Sequence, residues 1–163
     1  TYPNGSGYEG QWSANVINGA GRAVYANGTV YEGQFKDARH DGQGVLTRPD
    51  GYSYDGAWVN NQITGNGTAT YADGSIYEGQ FKDGQRDGRG TFRMADGFSY
   101  EGAWVAGAMT GQGVARYASG DSYEGAFRDG KRSGNGTMRY TDGTVAVGLW
   151  ANGQLIDPAS AGN

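Results

Sequence analysis

Cysteine is absent, and proline occurs only three times in 163 residues. Without thiols the chain has no disulfide, no thiolate metal site and no thiol nucleophile, and its redox compartment is unreadable. No run approaches 18 apolar residues, so no segment reads as a membrane-spanning helix. An initiator Met and a signal peptide are also missing, and the expectation is that either was removed before Thr1. Cationic excess is lacking too. Thirteen Lys and Arg stand against 17 Asp and Glu, for a net charge of −4. Nucleic acid, which needs cation density along a groove, is excluded as a partner. The same acidity disfavours a membrane lipid surface, where only a local basic patch would act.

What is abundant is glycine, with 32 residues, beside 12 Tyr, 5 Phe and 4 Trp. Disordered chains are poor in aromatics, so this is no Gly-rich linker. Each interior glycine costs a helix roughly 1 kcal/mol, which rules out a helical bundle. Turns and strands remain.

A repeat decides the matter. Tyr8, Tyr31, Tyr54, Tyr77, Tyr100 and Tyr123 are each 23 residues apart, and the next step lands on Ala146. Two positions after each comes a glycine, from Gly10 to Gly148, and four positions after comes Trp or Phe. Later in each unit stands a Gly-x-Gly pair such as Gly88/Gly90, then a turn such as Ala72-Asp73-Gly74. Ser75–Phe81 alternates as a strand does, and the Asp-Gly and Asn-Gly pairs around such segments signal hairpins. Pro49-Asp50-Gly51 supplies a preset turn residue and then a positive φ.

This Tyr-x-Gly-x-Trp/Phe unit resembles the MORN (membrane occupation and recognition nexus) repeat family over nearly the whole chain. The resemblance implies an all-β fold, in which each 23-residue repeat is a β-hairpin and the hairpins stack into one elongated, single-layer, twisted antiparallel sheet. The expected organisation is a single MORN-repeat domain over 1–163. Residues 1–7 are the tail of a preceding repeat, 8–30, 31–53, 54–76, 77–99, 100–122 and 123–145 are full repeats, and 146–163 is a partial repeat and tail.

Strand alternation puts Tyr77, Gly79 and Phe81 on one face and Glu78 and Gln80 on the other. If Asp83-Gly84 is a two-residue loop, Tyr77 stands opposite Gly90, Gly79 opposite Gly88 and Phe81 opposite Arg86, so that the tyrosine ring covers a glycine. A 46-residue period lies over the first. Trp hairpins carry an apolar partner five positions on (Trp12/Ile17, Trp58/Ile63, Trp104/Met109, Trp150/Leu155), whereas Phe hairpins carry a basic one (Phe35/His40, Phe81/Arg86, Phe127/Arg132). Such pairs are expected as direct cross-strand neighbours. Ala23, Ala69 and Ala115 in the Trp units trade volume with Leu46, Phe92 and Met138 in the Phe units.

The second period also predicts a basic ladder on alternate hairpins: Lys36 and Arg39 with His40, Lys82 and Arg86 with Arg89, and Arg128, Lys131 and Arg132. It reads mainly as a solvated edge with interleaved Asp, and secondarily as a surface for acidic or lipid groups. Glu9, Glu32, Asp55, Glu78, Glu101 and Glu124 form a row of equals, expected to pair with Arg22, Arg93, Arg116 or Arg139. A glycosidase needs two unlike carboxyls instead. One His and no Cys give no nucleophile–base pair, and no phosphate loop, cofactor or metal site is legible. The chain is expected to be non-catalytic.

A lone sheet has no second layer to cover its rings, and a large apolar area marks an interaction site. The family resemblance implies a groove that takes a helix or peptide of a protein partner. The expected contacts are Tyr31, Tyr54, Trp58, Tyr77, Phe81, Tyr100, Trp104 and Tyr123. Alternative readings are a phospholipid-binding module and a passive rod. Tyr2-Pro3-Asn4-Gly5 resembles the closing turn of an earlier unit, and Asp157-Pro158 replaces a Gly-x-Gly entry. The first strand is therefore an open edge that invites a cap or a second copy.

Overall fold

A computed structural model describes residues 3–159; Tyr2, in the expected closing turn, lies outside them. The described chain is all strand and turn. The strands are β1 (Gly7–Ser13), β2 (Val16–Val24), β3 (Val30–Lys36), β4 (Arg39–Thr47), β5 (Ser53–Val59), β6 (Gln62–Thr70), β7 (Ile76–Lys82), β8 (Gln85–Arg93), β9 (Ser99–Val105), β10 (Ala108–Arg116), β11 (Ser122–Arg128), β12 (Lys131–Arg139), β13 (Val145–Ala151) and β14 (Gln154–Pro158). One antiparallel sheet takes them in sequence order. The chain divides into two compact units, one ending at Gln85 and one beginning at Arg86.

Within a repeat the loop has two residues, both at positive φ: Asp37 and Ala38 at 49° and 60°, Asn60 and Asn61 at 48° and 68°, Asp129 and Gly130 at 48° and 78°. This turn matches the twist of the strands it joins. Between repeats the loop is longer. Gly51 takes φ 93° after Pro49-Asp50, and the Asp50 carboxylate accepts a hydrogen bond from the Tyr52 N–H at 2.9 Å.

The register corrects one expectation. In β3–β4, Tyr31 stands opposite Leu46, Gly33 opposite Gly44 and Phe35 opposite His40. The other hairpins repeat this pattern, as in Tyr54 opposite Ala69 and Tyr123 opposite Met138. Direct pairing of the Tyr77 position with the Gly90 position, and of Gly79 with Gly88, is therefore not the register of this hairpin type. A bulge gives the return strand two extra residues between the paired glycines and the aromatic. The pairing at the aromatic itself is as expected, with Trp58 opposite Ile63 and Phe127 opposite Arg132.

The bulge explains the motif. Each tyrosine lies along its own strand and donates its hydroxyl to the carbonyl three residues on, as in Tyr31 to Gln34 at 2.8 Å and Tyr123 to Ala126 at 3.0 Å. A ring in that pose passes over the second glycine of the return strand, where any Cβ would collide with it, as at Gly44 beneath Tyr31 and Gly136 beneath Tyr123. In β1–β2 and β3–β4 the glutamine of the motif serves the same bulge: Gln11 Oε1 accepts from the Ala20 N–H, and Gln34 Oε1 from the Gln43 N–H. The tyrosine thus covers glycine diagonally, not from directly opposite.

Candidate interaction surface

The eight rings expected to line an open groove are buried. Tyr31, Tyr54, Tyr77, Tyr100 and Tyr123 are 0 % exposed, and Trp58, Phe81 and Trp104 are 3–5 % exposed. No second sheet does this. Each ring is covered edge-on by its neighbours: Tyr54 meets Trp58 at 5.3 Å and Phe81 at 5.2 Å, and Tyr100 meets Trp104 at 5.3 Å and Phe127 at 4.9 Å. Edge-to-face packing at these distances adds about 0.5–1.5 kcal/mol per pair to the burial itself. In the later Trp hairpins the indole also reaches back to the hairpin before. Trp58 Nε1 donates to the Gly44 carbonyl at 3.0 Å, and Trp104 Nε1 to that of Gly90 at 3.1 Å. Burial pushes the Tyr31, Tyr54 and Tyr100 hydroxyls up to about 12. These rings are the core.

The basic ladder also divides, because successive strand residues face opposite ways. Lys36 is paired with Arg39 and Arg128 with Lys131, all four exposed on the face away from the rings, and Lys82 is exposed as well. Arg86 and Arg132 are not part of that row. The Arg86 guanidinium lies over Trp104 at 4.5 Å and donates to the Gly107 carbonyl at 3.1 Å. Arg132 lies over Trp150 at 4.7 Å and donates to the Gly153 carbonyl. His40 holds the equivalent place, stacked flat on Tyr31 at 3.6 Å, with Nε2 2.6 Å from the Tyr25 hydroxyl. Burial lowers its pKa to about 4, so it is neutral near pH 7. Of the expected acid–base partners, Arg22 does stand between Glu9 and Glu32, but Arg93, Arg116 and Arg139 stand opposite serines.

Aromatic surface survives at the loops between repeats. In the first unit Tyr25 is 38 % exposed, and Tyr52 and Tyr71 are partly exposed with their rings 5.8 Å apart. The Arg48 guanidinium lies 4.8 Å from the Tyr52 ring. In the second unit Phe98 and Tyr117 are partly exposed and 5.7 Å apart, and Tyr140 is 38 % exposed. Tyr25 contacts His40, and Arg132 lies 5.8 Å from Tyr117, which puts both loop rings on the aromatic side. Sequence reasoning passed over them in favour of the strand rings. The signal was present as the 46-residue series Tyr25, Tyr71, Tyr117, each two residues after Ala23, Ala69 or Ala115. A further missed feature is aliphatic. Val145, Val147 and Leu149 are 40–48 % exposed, with Val147 in the acid row and Leu149 in the neighbouring row.

Fold and surface define a hairpin-repeat protein, in which neighbouring repeats within each unit pack through their aromatic rings. Its sequence matches the MORN repeat over residues 8–30, 31–51, 54–76, 77–98, 100–122 and 123–145, and the chain belongs to that family. No curated protein sequence matches it. Among solved structures it is similar to the TCP domain of SAS-4 (dCPAP) of Drosophila melanogaster, in complex with a proline-rich motif of Ana2 (dSTIL). The identity is 15 % and the TM-score 0.50, covering 86 % of this chain and 84 % of that one. The wild-type TCP10 domain of Danio rerio CPAP, in complex with a peptide of Danio rerio STIL, is 18 % identical at a TM-score of 0.38, covering 91 % and 76 %.

Proposed function

We propose that this chain is a non-catalytic protein-interaction scaffold, and that it docks a peptide segment of a partner along the loop rings of each unit. The observation that carries the reading is the contrast in exposure: the eight strand rings named above are buried, while Tyr25, Tyr52 and Tyr71, and Phe98, Tyr117 and Tyr140, keep open area. Tilted rings with hydroxyls, and an arginine over one of them, suit a proline-rich extended segment, which brings stiff apolar rings and free carbonyls to such a row. The Drosophila neighbour shares the fold and is described with a proline-rich motif, which agrees with this reading. The rings that make contact would then be the loop rings and not the eight strand rings.

Titration calorimetry with a proline-rich peptide tests it. The double substitution Tyr52→Ala with Tyr71→Ala should weaken binding at least tenfold with far less effect on the melting temperature. Equal affinity in the variant would overturn the reading. Sedimentation with anionic vesicles separates the lipid alternative, which would act through the Lys36–Arg39 and Arg128–Lys131 pairs. Absence of both activities leaves the passive rod.

A further inference from the structure

One place in the repeat changes character between the two units. On the face away from the rings, the first unit holds Val24, Thr47 and Thr70 there, and the second unit holds Arg93, Arg116 and Arg139. The fold does not ask for a cation at this place. Val24 stands opposite Val30, and Thr47 and Thr70 both stand opposite Ser53, in the same register. In the second unit Arg93 stands opposite Ser99, Arg116 between Ser99 and Ser122, and Arg139 opposite Ser122. A row of alternating arginine and serine thus crosses five neighbouring strands, β8 to β12.

These arginines are not engaged by the fold. Arg48, Arg86 and Arg132 lie over rings. Arg93, Arg116 and Arg139 are exposed and have no hydrogen bond, ion pair or ring contact among the described residues. Acids border the row on both sides. Glu101 and Glu124 stand two residues along their strands from Ser99 and Ser122, and both are exposed. On the loop side the carboxylates of Asp96, Asp121 and Asp142 accept from the N–H groups of Phe98, Thr141 and Thr144 at 2.9, 2.9 and 2.8 Å. The row is a narrow positive lane between negative borders. A planar anionic surface would press on Glu101 and Glu124 together with the arginines, whereas a single extended chain can follow the lane alone.

The spacing selects the conformation of such a chain. Neighbouring strands lie about 4.8 Å apart, so arginines two strands apart are separated by about 9.6 Å. A β-strand ligand turns successive side chains to opposite faces and cannot present every third one on the same side. A polyproline II helix has three residues per turn and advances about 9.3 Å in that turn. Its residues i, i+3 and i+6 therefore face one way, at nearly the interval of the arginines.

We propose that this row binds an acidic segment of a protein partner in the polyproline II conformation, with Asp or Glu at every third position. Each carboxylate meets one guanidinium, whose forked donors suit it. Ser99 and Ser122 offer hydroxyls between the charges, within reach of the ligand's backbone carbonyls. The row lies on the face opposite the loop rings, so it stands or falls separately from binding there.

Fluorescence anisotropy of the whole chain at low salt, with a labelled peptide of four Glu-Ala-Pro triplets, tests the proposal. The peptide should bind, and added salt should weaken it. Arg116→Thr should weaken binding about threefold. The triple change Arg93→Thr, Arg116→Thr and Arg139→Thr should weaken it at least tenfold, and so should the corresponding triple change to Gln. Threonine already holds this place in the first unit, so the melting temperature should be retained. Tyr52→Ala with Tyr71→Ala should leave binding as it was. A peptide of the same composition with its glutamates in one block should bind at least fivefold more weakly, and Gln-Ala-Pro triplets should not bind. Failure of the periodic peptide to bind the unaltered chain overturns the proposal, as does equal binding by the folded triple variants or by the blocked peptide. Binding lost in the tyrosine variant but kept in the triple variants assigns the peptide to the loop rings and rejects the row. Anionic vesicles that sediment with the parent chain and not with the triple variants would make the row a lipid site, and likewise reject it.

Discussion

Beside Phe35 in the first unit lies a histidine, and beside Phe127 in the second lies an arginine. The slot is the same in register, since Phe35 faces His40 and Phe127 faces Arg132. Both side chains are flat and cover rings with a polar edge. His40 stacks on Tyr31 and meets the Tyr25 hydroxyl, whereas Arg132 lies over Trp150 and reaches the Gly153 carbonyl of the next turn. The slot holds a planar group with a polar edge, and it accepts a neutral one or a charged one. A guanidinium keeps its charge at any working pH, whereas a buried imidazole must shed its own. Two chemistries thus fill one geometry, and they should part company only when the solvent changes.

The strongest way to break the comparison is to remove an indole from each unit. Trp58→Ala and Trp104→Ala should each cost about 3–5 kcal/mol in urea denaturation, because both rings are buried and hydrogen-bonded. Trp12→Ala, at an exposed ring, should cost under about 1 kcal/mol. If Trp58→Ala proved much cheaper than Trp104→Ala, the histidine slot would not be holding its indole as the arginine slot does.

Acid sharpens the difference. His40 has its folded pKa lowered by burial from 6.5 to about 4. Between those values the unfolded chain binds the proton and the folded chain does not. Stability is therefore fully present above pH 6.5 and is lost as pH falls through about 4. The loss should amount to about 2 kcal/mol. It should appear as an excess of exchange in β3 to β5 at pH 4.5 relative to pH 7 once each rate is divided by its intrinsic rate, which itself falls in acid. Exchange in β11 to β13, which face no histidine, should show no such excess. His40→Arg should abolish the excess; an unchanged pH response in that variant would place its origin elsewhere.

Much of this was legible in the chain. The 23-residue period, the two-residue loops and the pairing of Trp with an apolar residue and of Phe with His or Arg follow from spacing and alternation, and all three stand in the structure. What misled was the assumption of an unbroken ladder. The bulge that Tyr31 plugs through the Gln34 carbonyl is marked only by glycines already assigned to cover and by a glutamine that Ala57, Ala103 and Ala126 replace in other units, so the offset of two residues could not be counted. The exposure of the strand rings was misjudged for a related reason. A ring lying along its strand, with its hydroxyl tied down, is covered by the next hairpin's aromatic, and a layer one sheet thick can bury its own core. Tyr25, Tyr71 and Tyr117 were not legible as surface because they sit at the margin of the loops, beyond the alternation that assigns a strand residue to a face.

The smallest expected effect lies in the turns, and there the two units differ again. All three two-residue loops wholly within the second unit carry glycine in second place: Gly107, Gly130 and Gly153, with φ from 78° to 86°. In the first unit Asn15, Ala38 and Asn61 hold that place at 60–68°, and its last loop has Gly84 there at 78°. Asparagine tolerates the left-handed region, but alanine gains nothing there and bears a Cβ–carbonyl conflict worth roughly 1–2 kcal/mol. Ala38→Gly should therefore stabilise the chain by about 1 kcal/mol, less the entropy that glycine adds to the unfolded state. Gly130→Ala should destabilise it by a similar amount, since its φ of 78° is the same kind of strain newly imposed. Thermal unfolding of the pair, read against the parent, should give shifts of opposite sign. Two shifts of the same sign would mean that the loops are set by the turn-to-turn bonds from Ala38 N–H to Ile17 and from Gly130 N–H to Met109, and not by the residue's own φ.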